Sequence, residues 1–339
     1  MRHINLPIFI PHLGCPNDCV FCNQRKISGT MCFNKTSVKS DIDSFLETVD
    51  TRNAEVQLAF FGGSFTGIDR EDMLYLLGVA KEYIDRGLIA SVRLSTRPDY
   101  IDNEILDILA VHGVETIELG IQSMSDKVLS ACKRGHTADI SRQACKLIKE
   151  RGFELIGQMM TALPASSVED EINTAKELVS LGVDGARIYP TMVFSGTELE
   201  DIYLKGNYTP PVLDDLIDRT ARAFSVFANN QTPVIRIGLQ ASDGLGEEDG
   251  IVAGAYEEAM GEMVISRYYM NHLTPLLNAT KNDIEGKEII IYCAKGEISK
   301  IIGHKQTNKL KILNEYNVKK LKVLEKDGII LYNIAIDYN

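Results

Sequence analysis

Short runs rich in β-branched and aromatic residues alternate along this chain with longer stretches whose apolar residues recur every three or four positions. The short runs are Ile4–Ile10, Val56–Phe61, Ser91–Ser95, Thr116–Ile121, Glu154–Met160 and Ala186–Tyr189, with another at Val234–Leu239. Their length and composition are those of strands. The longer stretches include Glu71–Asp85, Asp102–His112, Ile140–Arg151 and Val168–Leu181, and their spacing is that of helices with one buried face. Asp102 and Ser167 stand where N-caps belong, and Gly152 and Gly182 stand where helices stop. Repeated strand–helix units predict an α/β fold built on a parallel sheet covered by helices. Six such units make an open (β/α)6 partial TIM barrel, in which reactive groups gather at the C-terminal ends of the strands.

The pattern changes towards the end. Residues Ser242–Gly254 are acidic and glycine-rich and predict a loop, followed by a helix at Ala255–Leu277. The spacing of their acids excludes an EF-hand. From Lys287 the order becomes a strand at Glu288–Ala294, helices at Ile298–Ile302 and Thr307–Tyr316, and a hairpin of Leu321–Leu324 with Ile329–Ile334 about Lys326-Asp327-Gly328. Three regions follow: a barrel core over 1–240, an acidic loop with a bridging helix over 241–284, and a small α+β module over 285–339. The formal net charge of −11 is unevenly spread, because the last region has ten lysines against seven acids. A basic tail on an acidic body suits contact with a polyanion; the alternative is a solvated lysine-rich surface.

Three cysteines near the start bring in chemistry. Cys15, Cys19 and Cys22 form a C-x3-C-x2-C run directly after the first predicted strand. Three thiolates on a short loop can hold three irons of a cubane cluster, and no fourth cysteine follows at ferredoxin spacing. One iron is then open to a small molecule. Structural zinc is the competing reading, with His12 as the nearby fourth ligand. A disulfide framework is not expected of seven scattered cysteines in a chain of this length. The run resembles the signature of the radical S-adenosylmethionine (SAM) superfamily. That resemblance implies a [4Fe–4S] cluster on Cys15, Cys19 and Cys22, SAM chelated to the open iron, and an external reductant such as a ferredoxin or flavodoxin. It also implies cleavage of SAM to a 5′-deoxyadenosyl radical that abstracts hydrogen from a substrate.

Later strand ends extend the resemblance. Phe60-Phe61-Gly62-Gly63-Ser64-Phe65-Thr66 looks like the superfamily's glycine-rich motif, which implies SAM contacts at Gly62, Gly63, Ser64 and Thr66. Gln122 can donate and accept, and Arg134 offers a fork matched to a carboxylate, so both suit the same ligand. Ser95-Thr96-Arg97-Pro98-Asp99, Gly120-Ile121-Gln122-Ser123, Arg134-Gly135-His136-Thr137, Gln158-Met159-Met160 and Arg187-Ile188-Tyr189-Pro190-Thr191 together resemble the core of the Elongator catalytic subunit. Ser95 joins the SAM set on that resemblance, and His136 is expected to be structural. In the Elongator family this core works with an acetyltransferase domain on wobble uridine of tRNA, for which no room is expected after residue 240. The oxygen-independent coproporphyrinogen III dehydrogenase group is also similar. Arg187 and Tyr189 share one face of their strand, towards either a ligand or a packed polar interior.

The tail's β-α-α-β-β order, with Ile301-Ile302-Gly303-His304-Lys305-Gln306 between the helices, resembles a KH-like RNA-binding module. Such modules clamp nucleotide backbone with a GXXG loop, and here Gln306 stands at the second glycine. The chain is therefore expected to be a radical SAM enzyme acting on tRNA or other RNA, with tRNA held through residues 285–339. Porphyrin or haem chemistry and a non-catalytic iron–sulfur protein are the alternatives. No apolar run approaches 18 residues and no export signal opens the chain, so a cytoplasmic protein without membrane contact is expected. Cys32, Cys132, Cys145 and Cys293 show no pattern and are expected to be packing residues or spare thiols.

Overall fold

The computed structural model describes residues 2–10, 14–15, 19–23, 33–50, 53–239 and 250–338. Six strands lie side by side in chain order: β1 (Arg2–Phe9), β2 (Ala54–Phe61), β3 (Ser91–Thr96), β4 (Val114–Gln122), β5 (Glu154–Thr161) and β6 (Gly185–Pro190). A two-residue strand, β7 (Val193–Phe194), leaves the sheet, and β8 (Val234–Ile237) then joins β6 as its seventh member. Every pairing in this sheet is parallel. The helices between them are α1 (Val38–Glu47), α2 (Arg70–Asp85), α3 (Asn103–Val111), α4 (Asp126–Ala131), α5 (Ala138–Glu150), α6 (Val168–Ser180), α7 (Glu198–Leu204) and α8 (Leu213–Asn229). The half-barrel expected from the repeated units is therefore present, with β8 extending it by one strand.

Local chemistry accounts for the element ends. Asp102 accepts from the Ile105 N–H, and Ser167 and Asp170 form a reciprocal capping box at the start of α6. Gly152 and Gly182 take left-handed conformations just past α5 and α6, which a side chain at those positions would resist. The two faces of the sheet differ. Leu58, Leu94, Ile117, Leu119, Leu155 and Ile188 are fully buried in the apolar layer shared with the helices. The alternate positions Gln57, Arg93, Thr116, Glu118, Gln158 and Arg187 are polar and face the concave side. That lining is polar enough that the concave side does not close as apolar core.

Beyond β8 the chain forms β9 (Ile251–Ala253), paired antiparallel with β7, then α9 (Met260–Ala279) and the short α10 (Lys281–Ile284). Of the loop expected over Ser242–Gly254, residues 242–249 lie outside the described residues, while Ile251–Ala253 form β9. The bridging helix starts at Met260 rather than Ala255. The tail contains β10 (Glu288–Cys293), α11 (Ile298–Ile302), α12 (Thr307–Glu315), β11 (Lys320–Glu325) and β12 (Ile334–Tyr338). The expected hairpin is not formed. β11 runs parallel to β10 on one side, and β12 antiparallel to β10 on the other. The most apolar strand takes the centre, with Ile289, Ile291 and Cys293 wholly buried. The lysine-bearing β11 takes an edge, where Lys320 and Lys322 pair with Glu288 and charge discourages further pairing.

The tail is packed on the barrel. A continuous apolar core runs from Leu6 of β1 through Phe224 of α8 and Tyr269 of α9 to Ile291 and Ile312. Polar bonds fix the join: Tyr269 donates to the buried Glu297 carboxylate at 2.8 Å, and Asn308 donates to the Ser266 carbonyl at 2.8 Å. No helix among the described residues is long and apolar enough to cross a membrane.

Candidate functional site

The cysteine loop is wedged by glycines on one side and by an apolar cluster on the other. Gly14 has φ +74°, and a Cβ there would stand 2.2 Å from the Ser64 carbonyl oxygen; a Cβ on Gly67 would stand 2.4 Å from the Gly14 carbonyl. The two backbones meet with no side chain between them, which presses Cys15 against the loop after β2. Further on, Cys19, Val20 and Phe21 pack with Val128, Cys132, Leu163, Val193 and Leu199. Val20 donates to the Cys132 carbonyl, Leu199 donates to that of Val20, and Cys22 donates to that of Cys19. Cys19 is buried, while Cys15 and Cys22 are half-buried, and none of the six described cysteines is in a disulfide. Pro16, Asn17, Asp18, His12 and Cys32 lie outside the described residues. Among the described residues no three His, Cys, Asp or Glu side chains converge on one metal ion. A cubane does not ask them to, because it distributes its thiolates over different irons.

The glycine-rich motif follows β2 beside this loop. Gly62 is half-buried with φ +106°, and Gly63 is half-buried next to it. Ser64 and Thr66 are buried, and their hydroxyls are engaged inside the protein. Both meet the Thr96 hydroxyl, at 2.9 and 2.6 Å, and Thr66 also donates to the Tyr100 carbonyl. Ser64 further accepts the Arg97 N–H. These two residues fasten the β2 and β3 loops together. The expectation that their hydroxyls face SAM meets a structure in which those groups already have protein partners. Ser95 is half-buried on the concave side, in register with Glu118.

Two guanidiniums lie against the cysteines. Arg134, buried after α4, donates from Nη1 to Cys19 Sγ at 3.2 Å and from Nη2 to the Gly120 carbonyl. Arg97 grips Asp99 with both forks, at 2.9 and 2.8 Å, and donates to the Arg134 carbonyl at 2.6 Å. Burial pushes the Cys15 thiol above its ordinary range, while Arg97 and Arg134 pull the other way by favouring thiolate. Cys132 has its thiol raised to about 12 by burial, and Cys145 likewise, so both behave as packing residues. Gln122 sits buried at a bulge of β4 with φ +68°. Its Oε1, together with Arg134 Nε and Arg97 Nη1, is a buried polar atom without a partner among the described residues. Unmet donors and an unmet acceptor beside three cysteines are what an iron–sulfur cluster with a zwitterionic ligand would satisfy. His136 is packed rather than poised. Burial first, and Arg134 second, lower its pKa to about 4, which leaves the ring neutral.

Below the site, on the concave side, Glu118 spans two arginines, meeting Arg187 at 2.8 Å and Arg93 at 3.3 Å. Arg187 also approaches the Tyr189 hydroxyl at 3.4 Å. Arg187 and Tyr189 therefore share a face as expected, in a polar interior layer. Sequence reading assigned no role to Gly14, Gly67, Arg97 or Glu118. The first directly precedes Cys15, and Asp99 two residues after Arg97 was a visible sign of an ion pair. An open cavity of about 540 Å³ lies elsewhere, in the tail, lined by Ile298, Ile302, Gly303, Lys305, Gln306 and Glu325 among others.

Comparison with known proteins agrees with this geometry. The model of the Radical SAM superfamily matches residues 9–178, and that of the Radical_SAM C-terminal domain matches 183–271. The tRNA uridine(34) acetyltransferase of Methanocaldococcus jannaschii is 29% identical over 183 residues, 53% of this chain and 32% of that one. Elongator complex protein 3 of Saccharomyces cerevisiae is 29% identical over 192 residues, 51% of this chain and 34% of that one. This chain thus spans about a third of the length of either relative. Among solved structures, the archaeal Elp3 of Methanocaldococcus infernus superposes with a TM-score of 0.62 at 21% identity, over 80% of this chain and 63% of that one.

Proposed function

This chain belongs to the radical SAM superfamily, and we propose that it holds a [4Fe–4S] cluster on Cys15, Cys19 and Cys22 and uses it to activate SAM against an RNA substrate, most concretely tRNA. The observation that carries the reading is the contact of Arg134 with both Cys19 Sγ and the Gly120 carbonyl, beside the unmet Oε1 of Gln122. When bound, the cluster supplies the electron that splits the sulfonium of SAM, and an external donor such as a ferredoxin or flavodoxin supplies it in turn. The protein's part is placement and electrostatics. Gly62 and Gly63 leave backbone open to a ligand at the end of β2, Gln122 offers an acceptor, and Arg134 offers a donor. Arg97 and Arg134 offset the charge of the thiolates, and the apolar packing around Cys19 keeps water from it. Ser95 faces the same space, while Ser64 and Thr66 hold the loop that carries the glycines.

The tRNA reading is supported by the names of the relatives and by the tail. Lys305 lines the open cavity beside the Gly303 turn and Lys309 stands in the first turn of α12, and among the described residues neither is in an ion pair. We take residues 285–339 as the part that meets the nucleic acid, residues 1–240 as the catalytic core and 241–284 as the bridge. Acetyl transfer is no part of this proposal.

The test is anaerobic reconstitution followed by reduction with SAM and quantification of 5′-deoxyadenosine, with and without bulk tRNA. The expected result is about four irons per chain, product formation, and a rise when tRNA is added. Cys15→Ala, Cys19→Ala and Cys22→Ala should each lose the cluster absorbance. A cluster that survives all three changes would refute the ligand assignment. An intact cluster whose EPR spectrum ignores SAM would leave a binding protein instead of an enzyme that cleaves SAM.

A further inference from the structure

Two carboxylates on the concave face are already engaged, Glu118 by Arg93 and Arg187 and Glu154 by the Thr116 hydroxyl. Arg93 and Arg187 share the single carboxylate of Glu118, which is 2% exposed. Arg236 of β8 adds a third guanidinium, in direct register with Arg187. Its direction follows from its neighbour. Ile237 turns to the helices, its Cβ 3.8 Å from where a Cβ on Gly261 of α9 would lie. Successive strand residues alternate, so Arg236 turns to the concave side beside Arg187. Among the described residues Arg236 makes no ion pair or hydrogen bond. It is half-buried, so a charge that no described residue matches is not fully in water either.

Two further groups share this face. Gln158 is in register with Arg187 on the other side, and its amide has no partner among the described residues. Tyr189 stands one pleat further towards the strand ends, and its oxygen accepts from Arg187 Nη1. A hydroxyl that accepts there keeps its own hydrogen free to donate. Three neighbouring strands, β5, β6 and β8, thus bring an amide, a phenol and two guanidiniums to one patch, in a body that is otherwise strongly acidic. A low-dielectric concavity focuses that local positive field. A planar carboxylate is satisfied by one fork, whereas donors arriving from several strands suit a tetrahedral oxyanion.

We propose that Arg236, Arg187, Tyr189 and Gln158 form a phosphate-binding subsite at the β6–β8 edge of the barrel, which anchors a phosphate of the substrate. As a substrate anchor it rests on the function proposed above; as an anion site it stands by itself. It is separate from the cysteine-loop pair Arg97 and Arg134.

Isothermal titration of the reconstituted full chain with inorganic phosphate at low ionic strength tests it, against acetate in the same buffer. Saturable binding of one phosphate is expected, at least tenfold tighter than acetate. Arg236→Gln should weaken it tenfold or more and Tyr189→Phe about three- to fivefold. Arg236 makes no bond to any described residue, so its variant should melt with the parent protein. Arg222→Gln, on the exposed side of α8, should titrate as the parent does. Uridine 5′-monophosphate and uridylyl-uridine separate the sources: tighter binding of the diester assigns a polynucleotide backbone and the reverse a free nucleotide, and either supports a phosphate site. Phosphate binding no tighter than acetate, or unchanged in Arg236→Gln, overturns it. The titration needs neither SAM nor reductant, so its failure is distinct from failure of SAM cleavage.

Discussion

At the scale of single residues, the cysteine loop depends as much on a missing side chain as on its thiols. Gly14→Ala must place a methyl group inside the Ser64 carbonyl and hold φ near +74° as well. We expect it to cost about 2–4 kcal/mol and to lower iron per chain, because the loop cannot close on the β2 turn. Gly87→Ala, with φ +69° and open space around it, isolates the backbone part and should cost about 1–2 kcal/mol. Thermal unfolding and iron analysis of both variants provide the check. His136 gives a pH signature. Its folded pKa is about 4 against an ordinary 6.5, so the unfolded chain binds the extra proton between those values. Stability should be full above about pH 6.5 and fall by a few kcal/mol as the pH drops towards 4. Urea titrations of the cluster-free chain between pH 4.5 and 7.5 should show that slope, and His136→Gln should flatten it. The thiol spacing was legible in the sequence because a loop ligand set is local. The engagement of Ser64 and Thr66 was not, since their partner Thr96 arrives from another strand.

Among elements, local signals set the helix ends and non-local burial set the strand order. Asp102, Ser167, Gly152 and Gly182 act within a few residues of themselves, so their roles could be read directly. The tail hairpin failed for the opposite reason. Lys326-Asp327-Gly328 is a sound turn sequence, but it leads β11 to an edge and lets the apolar β10 occupy the centre. Burial of Ile289 and Ile291 outweighs the local preference of a three-residue turn. The same contest appears at Lys305 and Gln306, which take left-handed conformations where glycine would be easier. The join between α9 and α11 rests on Glu297, which is buried and held by Tyr269 and by Lys300 at 2.5 Å. Tyr269→Phe removes one bond from a buried carboxylate and should destabilise by about 1–3 kcal/mol. Limited proteolysis between residues 284 and 288 should then quicken; an unchanged melting temperature and cleavage rate would show the join to be carried by apolar packing alone.

For the molecule as a whole, the tail and barrel share one core, which changes how the RNA reading is best tested. Deleting 285–339 would expose the apolar side of α9 and confuse binding with unfolding. The double reversal Lys305→Glu with Lys309→Glu touches an exposed and a half-buried lysine that no described residue pairs, and should leave stability within about 0.5 kcal/mol. If the tail meets the phosphate backbone, tRNA affinity should fall severalfold or more. The slope of log affinity against log salt should also shrink, by about 0.7–0.9 for each phosphate that is no longer neutralised. Gel-shift titrations at two or more salt concentrations measure both. Equal affinity and slope in the parent and the variant would place the RNA-binding surface elsewhere.

The sequence by itself determined the parts that are local or periodic: the strand–helix alternation, the helix caps, the cysteine run and the glycine pair after β2. Each follows from preferences acting over a few residues, so no knowledge of distant neighbours was needed. Only the tertiary structure decided which charges would meet. It set Arg134 on Cys19, joined Arg93 and Arg187 through Glu118, brought Arg236 into register with Arg187, and placed β10 between β11 and β12. Those arrangements depend on register between strands and on competition for buried space, and both are properties of the assembled sheet.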